Sequence, residues 1–208
     1  MMALKIGRTV VGFVSTNCYF VYNEAKKAVV FDPGDDGARL YDRLTEKGFQ
    51  VVGIVLTHGH FDHILGVDAL KEKAGCKVYA PQTEEKLLAD PALNCCRDVG
   101  LSRTVKADIL LSDQQMVDID GISFRVLLTP GHTAGSACYY FAEDKILIAG
   151  DTLFAGSVGR TDLPTGNMGE LMTSIRQKLM TLPEDVIVYP GHGDDTTIGE
   201  EKQYNPYC

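Results

Sequence analysis

All five histidines of this 208-residue chain follow short apolar runs that have the pattern of buried β-strands. The first run, residues 51–56, leads directly into the motif THGHFDH, and three later runs reach a glycine and then a histidine or an aspartate. The side chains delivered in this way all belong to metal-binding residue types, and they are His58, His60, Asp62, His63, His132, Asp151 and His192. Histidines scattered for structural reasons would not share this position, so the pattern indicates one functional site.

The composition limits the class of protein. Hydrophobic residues make up 45% of the chain and charged residues 23%, which is typical of a globular protein. We expect residues 1–208 to form a single domain, because this length is ordinary for one hydrophobic core. The formal net charge of −8 disfavours a nucleic-acid-binding role, which needs a basic surface.

We expect no targeting signal in the N-terminal sequence, because Lys5 and Arg8 interrupt it before an apolar stretch of signal-peptide length develops. No run approaches the roughly 20 apolar residues of a membrane span. The six cysteines form no CxxC pair. We therefore expect a cytoplasmic protein with reduced thiols, in which the adjacent Cys95 and Cys96 are buried small residues rather than a redox or metal pair.

Strand and helix patterns alternate along the chain, which favours a layered α/β fold. Apolar runs predict strands at residues 18–22, 27–32, 51–56, 77–80, 122–130, 137–142, 145–151 and 186–192. Helical spacing predicts helices at residues 38–48, 64–75 and 168–182. Residues 81–113 are polar and irregular, and we expect them to cross the surface.

Five histidines and two aspartates are more ligands than one four-coordinate ion needs. They suffice for two ions that each have about three protein ligands and share a bridging carboxylate and a bridging water. Neutral imidazole and carboxylate groups suit zinc, and also iron or manganese. His58 and His60 can point together from an extended segment, whereas Asp62 and His63 lie at the turn into a helix and can face a neighbouring ion.

The motif THGHFDH, followed by PGH at 130–132, GD at 150–151 and PGH at 190–192, resembles the metallo-β-lactamase superfamily. The resemblance implies an αββα sandwich of two mixed β-sheets flanked by helices, with a metal site at one edge of the sheets. It also implies one metal held by His58, His60 and His132, a second held by Asp62, His63 and His192, and a bridging Asp151. Asp32 matches an aspartate that supports such a site from outside, or it is simply a turn residue before Pro33.

Residues 151–162, DTLFAGSVGRTD, resemble the corresponding loop of glyoxalase II, the hydroxyacylglutathione hydrolases. By this resemblance Arg160 contacts the glutathione moiety, since an arginine can bind a carboxylate in a bidentate pair; the alternative is a surface arginine in a salt bridge. Asp162 replaces the tyrosine of that family and would repel an anionic substrate. The short tail after His192 resembles that of the single-domain bacterial relatives of glyoxalase II, and we expect this chain to lack the helical C-terminal extension that completes the glutathione site in that family.

The resemblance implies a hydrolase that cleaves small-molecule thioesters such as S-lactoylglutathione. In such an enzyme the nucleophile is a hydroxide shared by two divalent ions, with zinc the first choice, and Asp62 orients this nucleophile. Persulfide dioxygenases of the same superfamily share every motif but use one iron, held by the residues that match His58, His132 and Asp151. A lactonase is a second hydrolytic alternative. A purely binding protein would have no need of seven ligands, and we expect neither a nucleic-acid nor a membrane partner.

Overall fold

A computed structural model describes residues 4–208, and within this range two mixed β-sheets pack face to face. The first sheet contains, in spatial order, β1 (Lys5–Val11), β2 (Thr16–Tyr22), β3 (Lys27–Phe31), β4 (Gln50–Val55), β5 (Lys77–Pro81) and β6 (Ile109–Leu111). The second contains β7 (Met116–Ile119), β8 (Ile122–Leu128), β9 (Ala137–Phe141), β10 (Ile146–Gly150), β13 (Ile187–Pro190) and β14 (Thr196–Thr197). Its spatial order is β14-β13-β10-β9-β8-β7. A short ribbon of β11 (Leu153–Phe154) and β12 (Ser157–Val158) follows β10.

The strand directions decide where the loops lie. Strands β3 to β6 run parallel, whereas β1, β2 and β3 pair antiparallel. In the second sheet β10 and β13 are parallel and the other pairs are antiparallel. Parallel neighbours need long crossover connections, and the helices that precede the C-terminal one occupy these connections.

The helices cover the outer faces of both sheets. Their bounds are α1 Gly37–Glu46, α2 Phe61–Ile64, α3 Val67–Ala74, α4 Glu85–Leu88, α5 Met168–Ser174 and α6 Ile198–Tyr204, and a π-helical turn, Ile175–Leu179, extends α5. Asp36 caps α1 by accepting a hydrogen bond from the backbone N–H of Arg39. Among residues 4–208, no helix has the length and apolar composition needed to cross a membrane.

Three clusters of buried apolar residues hold the sheets and helices of the fold together. Aromatic side chains fill the space between the sheets, with Phe31, Phe124, Tyr139 and Phe141 buried there. A second cluster joins the first sheet to α1 and α3, and a third joins the second sheet to α5 and its π-helical turn. The result is the predicted αββα sandwich, because each sheet buries one face against the other sheet and one face against helices.

Some elements differ from the prediction. The helix expected at residues 64–75 begins three residues later, as α3, and the residues before it form the separate short helix α2. Gly66, between the two, lies against the backbone of Pro33 and Gly37, where a Cβ would be 2.6 Å from the Pro33 carbonyl oxygen. The prediction that residues 81–113 cross the surface was wrong in part: Glu84, Leu88 and Cys96 are buried, and β6 ends this segment. Strand β1 and helix α6 were not predicted.

Candidate metal centre

The candidate ligands lie at the ends of four strands, as the sequence pattern predicts. β4 leads through Thr57 to His58 and His60, and α2 follows at once with Asp62 and His63. The loops after β8, β10 and β13 supply the remaining side chains, which are His132, Asp151 and His192. The structure brings all seven residues into one cluster, in which ligand atoms lie in overlapping groups that span 4.8 Å or less.

The first group consists of three buried imidazoles, those of His58, His60 and His132. His132 Nε2 lies 2.9 Å from His60 Nδ1 and 3.2 Å from His58 Nε2. Such a set of three converging nitrogens matches the ligands of a zinc ion in a catalytic site, which keeps one position open.

The second group consists of Asp62, His63 and His192. Asp62 Oδ2 lies 3.5 Å from His63 Nε2 and 3.2 Å from His192 Nε2. A mixed oxygen and nitrogen set of this kind suits zinc, iron or manganese.

Asp151 lies between the two groups. Its Oδ2 is 3.7 Å from His132 Nε2, which belongs to the first group, and 3.5 Å from His192 Nε2, which belongs to the second. Its Oδ1 is 3.4 Å from His63 Nε2. The carboxylate therefore has the position that a residue shared by two ions requires.

Neighbouring residues fix the tautomers of the imidazoles. Thr57 Oγ1 donates its single hydrogen to Asp32 Oδ2 at 2.7 Å, so it accepts from His58 Nδ1 at 3.0 Å. His132 Nδ1 donates to the carbonyl oxygen of Arg160 at 2.7 Å. In both rings the lone pair is then left on Nε2, the atom that faces the centre, as metal ligation requires.

Asp32 orients a third imidazole. Its Oδ2 lies 3.0 Å from His63 Nδ1, so that His63 Nε2 faces Asp62 and Asp151. Asp32 also accepts a hydrogen bond of 2.8 Å from the backbone N–H of Thr57 and has a positive φ of 49°. The aspartate therefore supports the centre from outside, and is more than a turn residue.

The charges of the two groups differ. Burial, followed by the neighbouring imidazoles, lowers the pKa of His58 well below its ordinary value and that of His60 to about 3. Burial alone would raise the pKa values of Asp62 and Asp151, but nearby histidines, His63 first, outweigh it and lower both. Burial lowers the pKa of His63, yet the surrounding carboxylates raise it well above its ordinary value. His58 and His60 are thus neutral, and the carboxylates around His63 favour positive charge beside them.

Buried polar atoms without a hydrogen-bond partner indicate whether metal ions fit this arrangement of side chains. Within residues 4–208, His63 Nε2 and Asp151 Oδ1 are buried side-chain atoms without a hydrogen-bond partner. A buried polar atom without a partner is costly, so native structures normally satisfy it. Divalent cations would satisfy both atoms, and the donor set is the one that such ions prefer. The residues therefore fit a divalent-metal centre.

Three contacts of the centre were not predicted from the sequence. Thr16, at the start of β2, donates a hydrogen bond of 2.8 Å to Asp62 Oδ2. The buried Glu84 accepts a hydrogen bond from Thr133, the residue after His132. The carbonyl oxygen of Asn94 accepts from the backbone N–H of Phe61 at 2.9 Å. These partners come from distant parts of the chain and carry no local motif.

The other predicted residues have the following positions. Arg160 is exposed, and its Nε and Nη2 each donate a hydrogen bond of 2.7 Å to the carboxylate of Asp162. Cys95 and Cys96 are buried, as expected. Cys138 is buried in the middle of β9 and belongs to the core.

The fold and these ligand groups define the class of protein, which is an αββα sandwich with a candidate divalent-metal centre where strands of its two sheets end. The chain matches the family model of the Metallo-beta-lactamase superfamily over residues 11–192, and it belongs to this superfamily.

Two relatives refine the comparison. The "Probable metallo-hydrolase YqgX" of Bacillus subtilis is 40% identical over 206 residues, which cover 98% of this chain and 97% of the relative. The "Hydroxyacylglutathione hydrolase GloC" of Haemophilus influenzae is 36% identical over 197 residues, which cover 92% of each. The second relative supports the predicted resemblance to the glyoxalase II-like branch.

Solved structures confirm the fold. BLEG-1, a B3 metallo-β-lactamase, has a TM-score of 0.93 and 41% identity, with 98% of this chain and 99% of that chain covered. TTHA1623 in a di-iron-bound form has a TM-score of 0.87 and 33% identity, covering 97% and 100%. ETHE1 from Myxococcus xanthus has a TM-score of 0.81 and 29% identity, covering 97% and 83%.

Proposed function

We propose that this protein is a dinuclear metallohydrolase that cleaves thioesters such as S-lactoylglutathione. The observation that carries the proposal is the position of Asp151, whose carboxylate lies between an all-histidine group and a mixed group of ligands. GloC, named as a hydroxyacylglutathione hydrolase, supports the choice of a thioester. A cytoplasmic location would agree with such a substrate.

We assign His58, His60 and His132 to one divalent ion and Asp62, His63 and His192 to the other, with Asp151 shared. Zinc is our first choice, and the di-iron form of TTHA1623 supports iron as the alternative; manganese suits the same ligands. When bound, such ions would lower the pKa of a water molecule at the centre towards about 7 and would polarise the acyl carbonyl group.

Asp62 is our candidate catalytic residue. The contacts that hold its carboxylate, to Thr16, His63 and His192, all involve Oδ2. Its Oδ1 is then the oxygen that orients the attacking water, by accepting a hydrogen bond from it. The water oxygen forms a bond to the acyl carbon while the carbon–sulfur bond breaks, and the second proton of the water passes to the leaving sulfur, giving a carboxylic acid and a thiol.

A persulfide dioxygenase is the second candidate. It would use one iron held by His58, His132 and Asp151, and these three side chains do lie together, with His58 Nε2 3.2 Å from His132 Nε2. The likeness to ETHE1 favours it.

The substitution His192→Ala separates the two candidates, because the mononuclear triad does not include His192. We would load parent and variant protein with zinc or ferrous iron and measure thioester cleavage and oxygen uptake with a thiol persulfide. A hydrolase loses thioester cleavage by orders of magnitude in the variant. The dioxygenase would be established instead by two results together. Oxygen uptake would require iron and be the same in parent and variant, and the parent would cleave thioesters negligibly. The same assay includes a chromogenic β-lactam as a further test substrate, because BLEG-1 is named as a β-lactamase.

A further inference from the structure

Asn17, at the start of β2, is bound to the segment that carries His192. Its side chain is buried, and its Nδ2 donates hydrogen bonds of 3.0 Å to the Pro190 carbonyl oxygen and 2.9 Å to the Gly193 carbonyl oxygen. Its backbone N–H donates a third hydrogen bond, of 2.7 Å, to the carbonyl oxygen of Gly191. One residue of the first sheet therefore binds carbonyl oxygens on both sides of His192, which follows a strand of the second sheet.

His192 is the least enclosed of the five histidines. Its side chain is 29% exposed, whereas the other four histidines are buried, so packing restrains the His192 ring least. Both of its chain neighbours are glycines, and Gly193 has a φ of 77°. Because glycine leaves the backbone more freedom than other residues do, the position of the ring depends on the hydrogen bonds that hold the backbone of this segment.

Thr16, the neighbour of Asn17, holds a second ligand of the same group. Its buried hydroxyl donates a hydrogen bond of 2.8 Å to Asp62 Oδ2, the oxygen that lies 3.2 Å from His192 Nε2. The partners that orient histidines of the first group come from other parts of the chain, after β4 and β12. Two adjacent residues of β2 therefore hold two of the three ligands of the second group.

We propose that Thr16 and Asn17 are positioning residues that set the affinity of the second metal ion, the one assigned to Asp62, His63 and His192, independently of the first. Ligand distances in metal sites fall within about 0.2 Å of their ordinary values, so a small shift of either ligand weakens the ion that they share. This inference rests on the proposed dinuclear function.

The variants remove the donors with little change of shape. Asn17→Asp places carboxylate oxygens against two carbonyl oxygens, and Asn17→Ala removes the side-chain donor. Thr16→Val removes the hydroxyl, whereas Thr16→Ser keeps it. Asn205→Ala is the matched control, because Asn205 is also buried and its Nδ2 also donates two hydrogen bonds, of 3.0 Å to the Ser157 carbonyl oxygen and 2.7 Å to the Glu201 carboxylate.

The test is a zinc titration of metal-free protein in competition with a chelating dye, which gives a dissociation constant for each ion. The variant His192→Ala identifies the step that belongs to the second group. We expect the Asn17 variants and Thr16→Val to weaken that step by about 10- to 100-fold, as the loss of a residue that supports a ligand does, and to leave the other step unchanged. Thr16→Ser and Asn205→Ala should match the parent in both steps.

Two results would overturn the inference. Asn17 variants and Thr16→Val that bind both ions as the parent does would show that the hydrogen bonds do not set the affinity. Equal weakening of both ions would show a general structural role. Circular dichroism of metal-free protein checks the fold, and the comparison of Thr16→Val with Thr16→Ser decides the question if the Asn17 variants do not fold.

Thioester turnover by the parent, measured at the same zinc concentrations, separates this inference from the proposed function. If the parent cleaves S-lactoylglutathione but the variants bind the second ion as the parent does, the function stands and the inference fails. If the variants lose the second ion as expected but the parent cleaves no thioester, the inference stands and the function fails. A parent that binds a single ion would overturn both.

Discussion

At the scale of single residues, Asp151 is the most informative position, because its two oxygens face both ligand groups. Asp151→Ala removes the shared carboxylate and leaves His63 Nε2 without its neighbour at 3.4 Å. We expect the purified variant to lose most of its metal and nearly all activity. Elemental analysis of protein purified without chelators measures this, with Asp162→Asn as the control that keeps its metal. Full metal content in Asp151→Ala would show that Asp151 is not a ligand.

Glu84 gives a second prediction at this scale. Burial raises its pKa from 4.5 to about 7, and its Oε2 has no hydrogen-bond partner within residues 4–208. A carboxyl group with a raised pKa binds a proton more tightly in the folded state, so it stabilises the fold at low pH relative to high pH. This contribution is lost as the pH rises from about 4.5 through 7, and amounts to about 3 kcal/mol.

The variant Glu84→Gln should therefore gain stability over the parent as the pH rises through this window. The measurement is the free energy of unfolding by urea at pH 4.5, 6 and 8, on chelator-treated protein. Asp185→Asn, at an exposed carboxylate, serves as the control. Parallel pH profiles for parent and Glu84→Gln would contradict the raised pKa.

At the scale of elements, close glycine contacts set the shape of the centre. A Cβ on Gly191 would lie 2.1 Å from Asp151 Oδ1 and 2.9 Å from His63 Cε1. Gly191→Ala should displace the bridging carboxylate and reduce activity by about 100-fold, as a displacement of about 1 Å can. Gly169→Ala is the control, since its nearest contact is Asn167 Oδ1 at 3.3 Å. Turnover and metal content of both variants test the prediction, and an active, fully loaded Gly191→Ala would contradict it.

The elements also show what the sequence can predict. Strands β4, β8, β10 and β13 are largely apolar runs, and each leads into a candidate ligand, so the local sequence pattern predicts both the strand and the position of the site. Strand β1 is an edge strand with only partly buried or exposed positions, and its sequence lacks that pattern. Thr16 and Glu84 reach the centre only through tertiary contacts. Such partners depend on how the sheets and loops pack, which local residue patterns do not specify.

At the scale of the whole molecule, the metal centre joins the two sheets. His58, His60 and His63 follow a strand of the first sheet, whereas His132, Asp151 and His192 follow strands of the second. Metal bound across this junction stabilises the folded state by mass action. At ion concentrations of about 1,000 times the dissociation constant, the gain is about 4 kcal/mol, or about 10 °C in Tm for a chain of this size.

Thermal unfolding before and after chelation, and again after zinc is restored, measures this gain. We expect the Tm to fall on chelation and to recover with zinc. His192→Ala should lose part of the difference, and Asp151→Ala nearly all of it. If the Tm of fully metal-loaded parent protein did not change on chelation, this result would contradict a metal centre that links the two sheets.

The measurement that tests the central claim most directly is thioester turnover during stepwise addition of zinc to metal-free protein, with bound metal counted at each step. The account predicts about two ions per chain at saturation and activity that rises mainly as the second ion binds. Full thioester turnover at one ion per chain, with no further change when a second is added, would contradict it.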